Sequence, residues 1–361
     1  MKILTIFGTR PEYIRLNILI NKLDIALGRK NHVLVDTQQN FDKSLRDYFF
    51  SNFKLRNPDY KLSSKGSFGQ QISNIYAKLE KIISRVQPDK FLVLGDTNSS
   101  TGAFIAKRMG IDVYHIEAGN RGFNTKSPEE VNRKLIDHIS DVHMTYSYRS
   151  KDNLINEGIH PKNIFVVGNP ITEVLSQYNN IIENSKILRE LSLNENKYFL
   201  STIHRQENVD IEKNIKNIIL NFKKISKKSN TKFILIVHPR LRKKISEFRI
   251  NTRGLELIDP INFFDFIKLE KNSNCVFTDS GTVQEECSIL NKSCVIVRES
   301  TERLETIENS KSIVSGIESE DIATSYELFM KNQGKYNPPL DYISDNFADR
   351  ALNILISKKP I

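Results

Sequence analysis

Two carboxylates, Glu117 and Glu129, stand on either side of a loop containing Gly119 and Gly122, within the stretch His115–Arg133. Acidic groups that converge at a strand end are candidate acid/base pairs. The same residues have a plainer reading. Pro128 suits the first turn of a helix, and Glu129 and Glu130 then complement its N-terminus. Asp96, in Gly95-Asp-Thr-Asn-Ser-Ser, is either a third acid of the same crevice or the cap of the helical segment Thr97–Ala106. Spacing alone leaves both readings open.

A second set of residues suits a phosphate. Gly8-Thr-Arg-Pro-Glu opens a helix after an apolar run, so its backbone and Arg10 favour an anion, with Arg15 either adding charge or lying on a solvated helix face. Thr202-Ile-His204-Arg205 leaves a strand, and an arginine there needs an anionic partner, either a phosphate or a buried acid. His238-Pro-Arg240 follows the next strand in the same way. In Thr278-Asp-Ser-Gly-Thr-Val-Gln-Glu-Glu286, the amides near Ser280 and Gly281 form a diphosphate cradle and Glu286 reaches ribose hydroxyls; the alternative is a helix cap led by Ser280. Arg298 and Arg303 bracket hydroxyls that again suit an anion. The chain contains neither GxGxxG nor GxxxxGK[ST], and the flanks of Ser280 do not match GxSxG. Nicotinamide chemistry, P-loop hydrolysis and serine hydrolysis therefore lose their sequence support.

Short apolar runs alternating with helical patterns must position these loops. Strands are expected at Ile3–Phe7, Val33–Val35, Phe91–Leu94, Val113–Ile116 and Ile164–Val167, then at Tyr198–Ile203, Phe233–Val237, Cys275–Thr278 and Cys294–Val297. Helices are expected at Ile215–Ile225, Phe263–Leu269, Val283–Leu290, Ile322–Met330 and Phe347–Ile356. The pattern predicts two doubly wound, Rossmann-like α/β domains facing a cleft, with ligand between them. The expected division is 1–170, 171–340, and a C-terminal helix in 341–361 that packs back on the N-terminal domain.

The 361 residues are 39% hydrophobic and 27% charged, with a net charge of +10, as expected for a globular protein with an anionic partner. The lysines and arginines are dispersed and no nucleic-acid motif accompanies them, so a phosphorylated small molecule is favoured over nucleic acid. Cys275, Cys287 and Cys294 lack metal-ligand spacing; Cys275 and Cys294 sit in strand-like apolar runs and read as packed thiols, which fits a reducing compartment. No apolar run approaches the ~20 residues that span a bilayer, and the first residues lack a signal-peptide layout. A cytoplasmic location is expected. His32 and His160 read as surface or turn residues, and His138 and His143 as structural ones.

Gly8-Thr-Arg-Pro-Glu, Gly95-Asp-Thr, Glu117-Ala-Gly, Pro128-Glu-Glu-Val-Asn-Arg, His204-Arg, Ser280-Gly and Thr301-Glu-Arg, in this order, resemble the motifs of the non-hydrolysing UDP-N-acetylglucosamine 2-epimerases. The resemblance runs nearly end to end. It implies a GT-B-type fold and inversion at C2 of a UDP-linked 2-acetamido sugar, by anti elimination of UDP to a 2-acetamidoglucal and re-addition. On that resemblance the catalytic acids are Asp96, Glu117 and Glu129. Arg10, His204, Ser280 and Gly281 serve as basic and diphosphate positions, with His204 counted among the catalytic residues. Glu286 takes the ribose and Phe266 the uracil. Arg15, Arg133, Arg205, His238, Thr282 and Arg303 complete the substrate-binding set. No cofactor or metal is implied, and a homodimer is.

Several residues depart from the family pattern. Arg15 stands where many members have Lys, and Thr282 replaces a second Gly. Thr37-Gln-Gln-Asn lacks the Gln-His-Arg of members regulated by a second UDP-sugar, and the loop between Gly119 and Pro128 is short. Asn120 and His238-Pro-Arg240 look like the branch that acts on UDP-N-acetyl-6-deoxy-L-sugars. The alternatives are that branch, a hydrolysing 2-epimerase, a GT-B glycosyltransferase and a UDP-sugar-binding module without catalysis. Lining a nucleotide site with acids argues against the last.

Overall fold

The computed structural model describes residues 1–39, 53, 55–124, 127–309, 311–318, 320–332, 334 and 336–358. The chain divides into two compact units, Met1–Ser176 with Asp341–Ile361, and Gln177–Leu340.

The first unit holds strands β1 (Ile3–Phe7), β2 (His32–Asp36), β3 (Tyr60–Lys61), β4 (Lys90–Leu94), β5 (Asp112–Ile116), β6 (Val142–Thr145) and β7 (Ile164–Val166). They form one sheet in the order β3-β2-β1-β4-β5-β6-β7, and every pair is parallel. The chain starts in the middle and winds outward both ways, so the direction of winding reverses between β1 and β4. Loops leaving the carboxyl ends on either side of such a point part and leave a crevice. The inner strands are buried, apart from the first residue of β5, as parallel strands covered on both faces must be. Leu4, Ile6, Phe91 and Val93 pack against Ile75, Leu79 and Ile83 of the helix Phe68–Val86. Helix Phe347–Ile356 lies against Arg10–Leu27, and the buried Lys90 ammonium caps its last turn by donating to Leu355 and Ser357 carbonyls at 2.8 and 2.6 Å.

The second unit repeats the plan with β8 (Tyr198–Thr202), β9 (Lys232–Ile236), β10 (Glu256–Ile258), β11 (Cys275–Thr278), β12 (Cys294–Ile296) and β13 (Ser312–Val314). Their order is β10-β9-β8-β11-β12-β13, again all parallel, with the reversal between β8 and β11. Phe199, Phe222, Phe233 and Phe277 form an aromatic core, with Phe222 and Phe233 stacked at 4.4 Å.

His32 is not the surface or turn residue that its place in the sequence suggests. It is fully buried in β2, its Nδ1 2.8 Å from Asp24 Oδ1 and its Nε2 2.9 Å from Thr5 Oγ1. Two polar neighbours supply what a buried imidazole needs. The strands β3, β6, β10 and β13 are additions to the expected set.

Candidate active site

In the first unit, polar side chains gather where the chain leaves β1, β4, β5 and β6. β5 ends at Ile116 and the chain then turns through the left-handed region, with φ +70° at Glu117 and +80° at Gly119. A side chain on Gly119 would lie 2.1 Å from the Ser150 carbonyl oxygen, so glycine is required there. A left-handed glutamate is uncommon, and such strain persists only where the surroundings enforce it. Here they do. Buried Glu117 accepts a hydrogen bond from Arg15 Nη1 at 2.9 Å, one from Asn120 Nδ2 at 3.2 Å and a longer one from the Tyr146 hydroxyl at 3.4 Å. Ser150 Oγ donates to Asn120 Oδ1 at 2.8 Å, which aims the Asn120 amide N–H groups at Glu117.

The Gly95–Asp96 loop lies beside this carboxylate. A Cβ on Gly95 would stand 3.4 Å from Glu117 Oε2. Half-buried Asp96 pairs with Arg133, whose Nε donates to Oδ2 at 3.0 Å and whose Nη2 reaches the same oxygen. Arg133 also binds Glu130 Oε2 at 2.6 Å, and Glu130 accepts from the amides of Gly122 and Phe123. Of the two adjacent glutamates, Glu130 is therefore the buried strut. Glu129 is exposed and accepts from Ser127 Oγ at 2.6 Å; no contact joins it to Glu117 or Asp96 among the described residues. Arg10 stands half-buried at the start of its helix.

Glu12, the last residue of Gly8-Thr-Arg-Pro-Glu, is buried below these loops. It accepts from the Gly8 and Thr9 amides at 2.9 and 2.7 Å, the Thr9 hydroxyl at 2.8 Å and the Thr97 hydroxyl at 2.9 Å. Burial pushes its carboxyl up to about 7, against the pull of those four donors. It ties the β1 loop to the residue after Asp96.

In the second unit, β11 runs into Asp279 and Ser280, and Ser280 caps the helix Gly281–Ile289. Asp279 is fully buried and gathers the loop after β8: both carboxylate oxygens lie 3.1 Å from the His204 amide nitrogen. Oδ2 also accepts from the Arg205 amide at 2.9 Å and from Asn208 Nδ2 at 3.0 Å. His204 Nδ1 lies 3.2 Å from the same carboxylate, while the ring remains exposed. The imidazole and these amides hold Asp279 below the usual carboxylate range despite its burial. His238, exposed after β9, faces the His204 ring at 6.5 Å; burial of part of its ring and the nearby charges hold its affinity for a proton down.

Arg303 is drawn inward. It donates to Glu285 Oε1 and Glu302 Oε1 at 2.5 and 2.6 Å, and its guanidinium leaves a side chain on Gly281 only 2.9 Å of room. Arg205 reaches the same Glu302 oxygen at 3.3 Å, and Arg298 its other oxygen at 2.8 Å. Glu302 thus gathers three guanidiniums behind the Ser280 turn. Thr282 is half-buried at the helix start and Glu286 is buried further along it. Phe266 is half-buried against the apolar cluster containing Leu200 and Ile236.

The structure therefore brings Arg15, Asp96, Glu117 and Arg133 together in one unit. In the other it brings together His204, Arg205, His238, Ser280, Gly281 and Arg303. Tyr146, Glu12, Asp279 and Glu302 are additions to the expected set. Tyr146 follows a strand whose polar residues mask it in the sequence, whereas Asp279 and Glu302 lie inside the Thr278–Glu286 and Arg298–Arg303 stretches. Among the described residues no group of three or more His, Cys, Asp and Glu side chains could hold a metal ion, and no helix is long and apolar enough to cross a membrane. Asn40 and residues 125 and 126, which bear on the expected regulatory and loop features, lie outside the described residues.

Two doubly wound parallel units, each with polar loops clustered at its switch point, define the two-domain Rossmann-like enzymes of GT-B type. Residues 26–356 match the family model described as UDP-N-acetylglucosamine 2-epimerase, and the chain belongs to that family of epimerases, a class of isomerases. It is 37% identical to the UDP-N-acetylglucosamine 2-epimerase of Methanococcus maripaludis, covering 99% of both chains. The Methanocaldococcus jannaschii UDP-GlcNAc 2-epimerase, solved in complex with UDP-GlcNAc and UDP, superposes with a TM-score of 0.91 at 35% identity, covering 98% of this chain and 99% of that one. A Pseudomonas aeruginosa UDP-2,3-diacetamido-2,3-dideoxy-D-glucuronate 2-epimerase is 33% identical, covering 88% of each chain.

Proposed function

We propose that the protein interconverts the C2 epimers of a UDP-linked 2-acetamido sugar of the UDP-GlcNAc/UDP-ManNAc type, in the cytoplasm and for surface polysaccharide synthesis. The observation that carries this reading is the carboxylate of Glu117, buried and held by Arg15, Asn120 and Tyr146 beside the Gly95–Asp96 loop. A weakly acidic C2–H needs a fixed base and simultaneous stabilisation of the departing diphosphate.

One acid of the first unit removes the C2 proton while the C1–O bond breaks. The C–H electron pair forms the C1=C2 double bond, and UDP leaves with the C–O pair. In the second unit, His204, the Ser280–Gly281 amides and the helix they open stabilise the diphosphate, with Glu286 at the ribose and Phe266 at the base. UDP then adds back to C1, and a second acid protonates C2 on the opposite face. Asp96 and Glu129 are the remaining acids of the set. Arg10 supports the leaving group. The working form is a homodimer, which light scattering tests.

Incubation with UDP-GlcNAc in deuterated water decides the matter. Deuterium at C2 of a UDP-linked product supports the reading, whereas free ManNAc with UDP would mark a hydrolysing enzyme. Absence of C2 exchange with every UDP-2-acetamido sugar refutes both. The named substrate of the P. aeruginosa relative and the position of Asn120 against Glu117 extend the panel to 2,3-diacetamido and 6-deoxy-L sugars.

A further inference from the structure

Beneath the two acid-bearing loops lies a charge network that the reading above does not use. Asp137, on the buried face of the helix Pro128–Ile139, is fully enclosed. Its Oδ1 lies 2.7 Å from His115 Nδ1, and its Oδ2 forms an ion pair with Arg121 Nη1 at 2.8 Å and accepts from the Gly119 amide at 3.1 Å. One carboxylate therefore grips the residues two before, two after and four after Glu117. Arg121 is anchored in turn by Glu157, through Nε at 2.8 Å and Nη2 at 2.6 Å. The other nitrogen of His115, Nε2, lies 3.0 Å from the carbonyl oxygen of Gly95, the residue before Asp96. A continuous path thus runs from Asp137 through His115 to the Asp96 loop, and from Asp137 through Gly119 around the Glu117 turn.

We infer that Asp137 and His115 are positioning residues that fix the Glu117 turn against the Gly95–Asp96 loop. The left-handed backbone at Glu117 and Gly119 has to be held by its surroundings, and Asp137 binds the main chain inside that turn. The His115 ring spans from β5 to the end of β4 and sets how far apart the two acids stand. His143 Nε2, 2.7 Å from the Asp137 carbonyl oxygen, secures the helix from the β6 side. In a reaction that removes a proton from one face and returns one to the other, that spacing governs whether the glucal is reprotonated before it escapes.

This inference rests on the proposed elimination. The test compares the wild type with His115→Gln and Asp137→Asn, using the UDP-2-acetamido sugar that shows C2 exchange. Expected are a 10- to 100-fold fall in kcat, KM within about twofold, and several-fold more free 2-acetamidoglucal released per epimerisation. A loss of structure alone would not raise that ratio. Should Asp137→Asn not fold, His115→Gln carries the comparison. Folded variants with the wild-type kcat and glucal ratio would overturn the inference, as would a fall in kcat with that ratio unchanged. A wild-type protein that exchanges no C2 proton would instead defeat the functional reading.

Discussion

Arg15 Nη1 lies 2.9 Å from Glu117 Oε2, and both side chains are buried. The pair joins the helix after β1 to the turn after β5, so it is an energetic as well as a chemical link. Removing one partner of a buried ion pair strands the other, at a cost of ~3–5 kcal/mol. Arg15→Met is expected to lower thermal stability markedly and to abolish C2 exchange. Adding Glu117→Gln should recover most of the stability and none of the activity. If the double variant melts no higher than Arg15→Met, the pair is not the source of the loss.

Asn120 is expected to matter through Glu117. Its amide donates to Oε1 and is itself aimed by Ser150. Asn120→Leu removes a hydrogen bond worth ~1 kcal/mol, and about a fivefold fall in kcat follows if that bond matters most in the transition state. Ser150→Ala should act in the same direction and more weakly. Steady-state kinetics on the accepted sugar decides it; an unchanged kcat in the leucine variant means Asn120 does not support the carboxylate.

Much of this was legible in the chain because apolar runs and small-residue turns declare strand ends. Ile3–Phe7 and Phe347–Ile356 have the expected bounds. β6 was obscured because buried His143 and Thr145 interrupt its apolar pattern, and β3, β10 and β13 are too short to show a period. In the site, Glu117 and Asp96 announce themselves by motif. The partners that hold them do not: Arg15 with Glu117 and His115 with Asp137 are joined by the folded topology, and no local spacing encodes such pairs. Arg303 illustrates the same limit, since its type suggests an anion while its neighbours Glu285 and Glu302 draw it inward.

Glu12 should leave a pH signature in stability. Its folded carboxyl is raised from 4.5 to about 7, so between those values the unfolded chain is ionised while the folded one holds a proton. The stabilisation is complete below pH 4.5 and is lost as the pH rises through 7, by up to ~3 kcal/mol. Glu12→Gln, which cannot ionise, should flatten the decline in unfolding free energy from pH 5 to 8. Parallel denaturation curves for the two proteins across that range would rule out Glu12 as its source.

Gly281 is expected to tolerate no side chain. A Cβ there would meet Arg303 Cζ and Nη1 and Glu302 Oε1, each at 2.9 Å. A flexible arginine elsewhere would move aside, but this one is buried and bound to Glu285 and Glu302, so the added methyl must strain the pair or the helix start. Overpacking of this kind costs ~1–3 kcal/mol. The displaced turn also carries the Ser280 and Gly281 amides assigned to the diphosphate. Gly281→Ala should therefore weaken UDP binding by about tenfold or more in calorimetry, with a smaller fall in melting temperature. Thr282→Gly, one residue on at a half-buried position, should change UDP affinity by no more than about threefold. Native UDP affinity in Gly281→Ala would remove this turn from the nucleotide site.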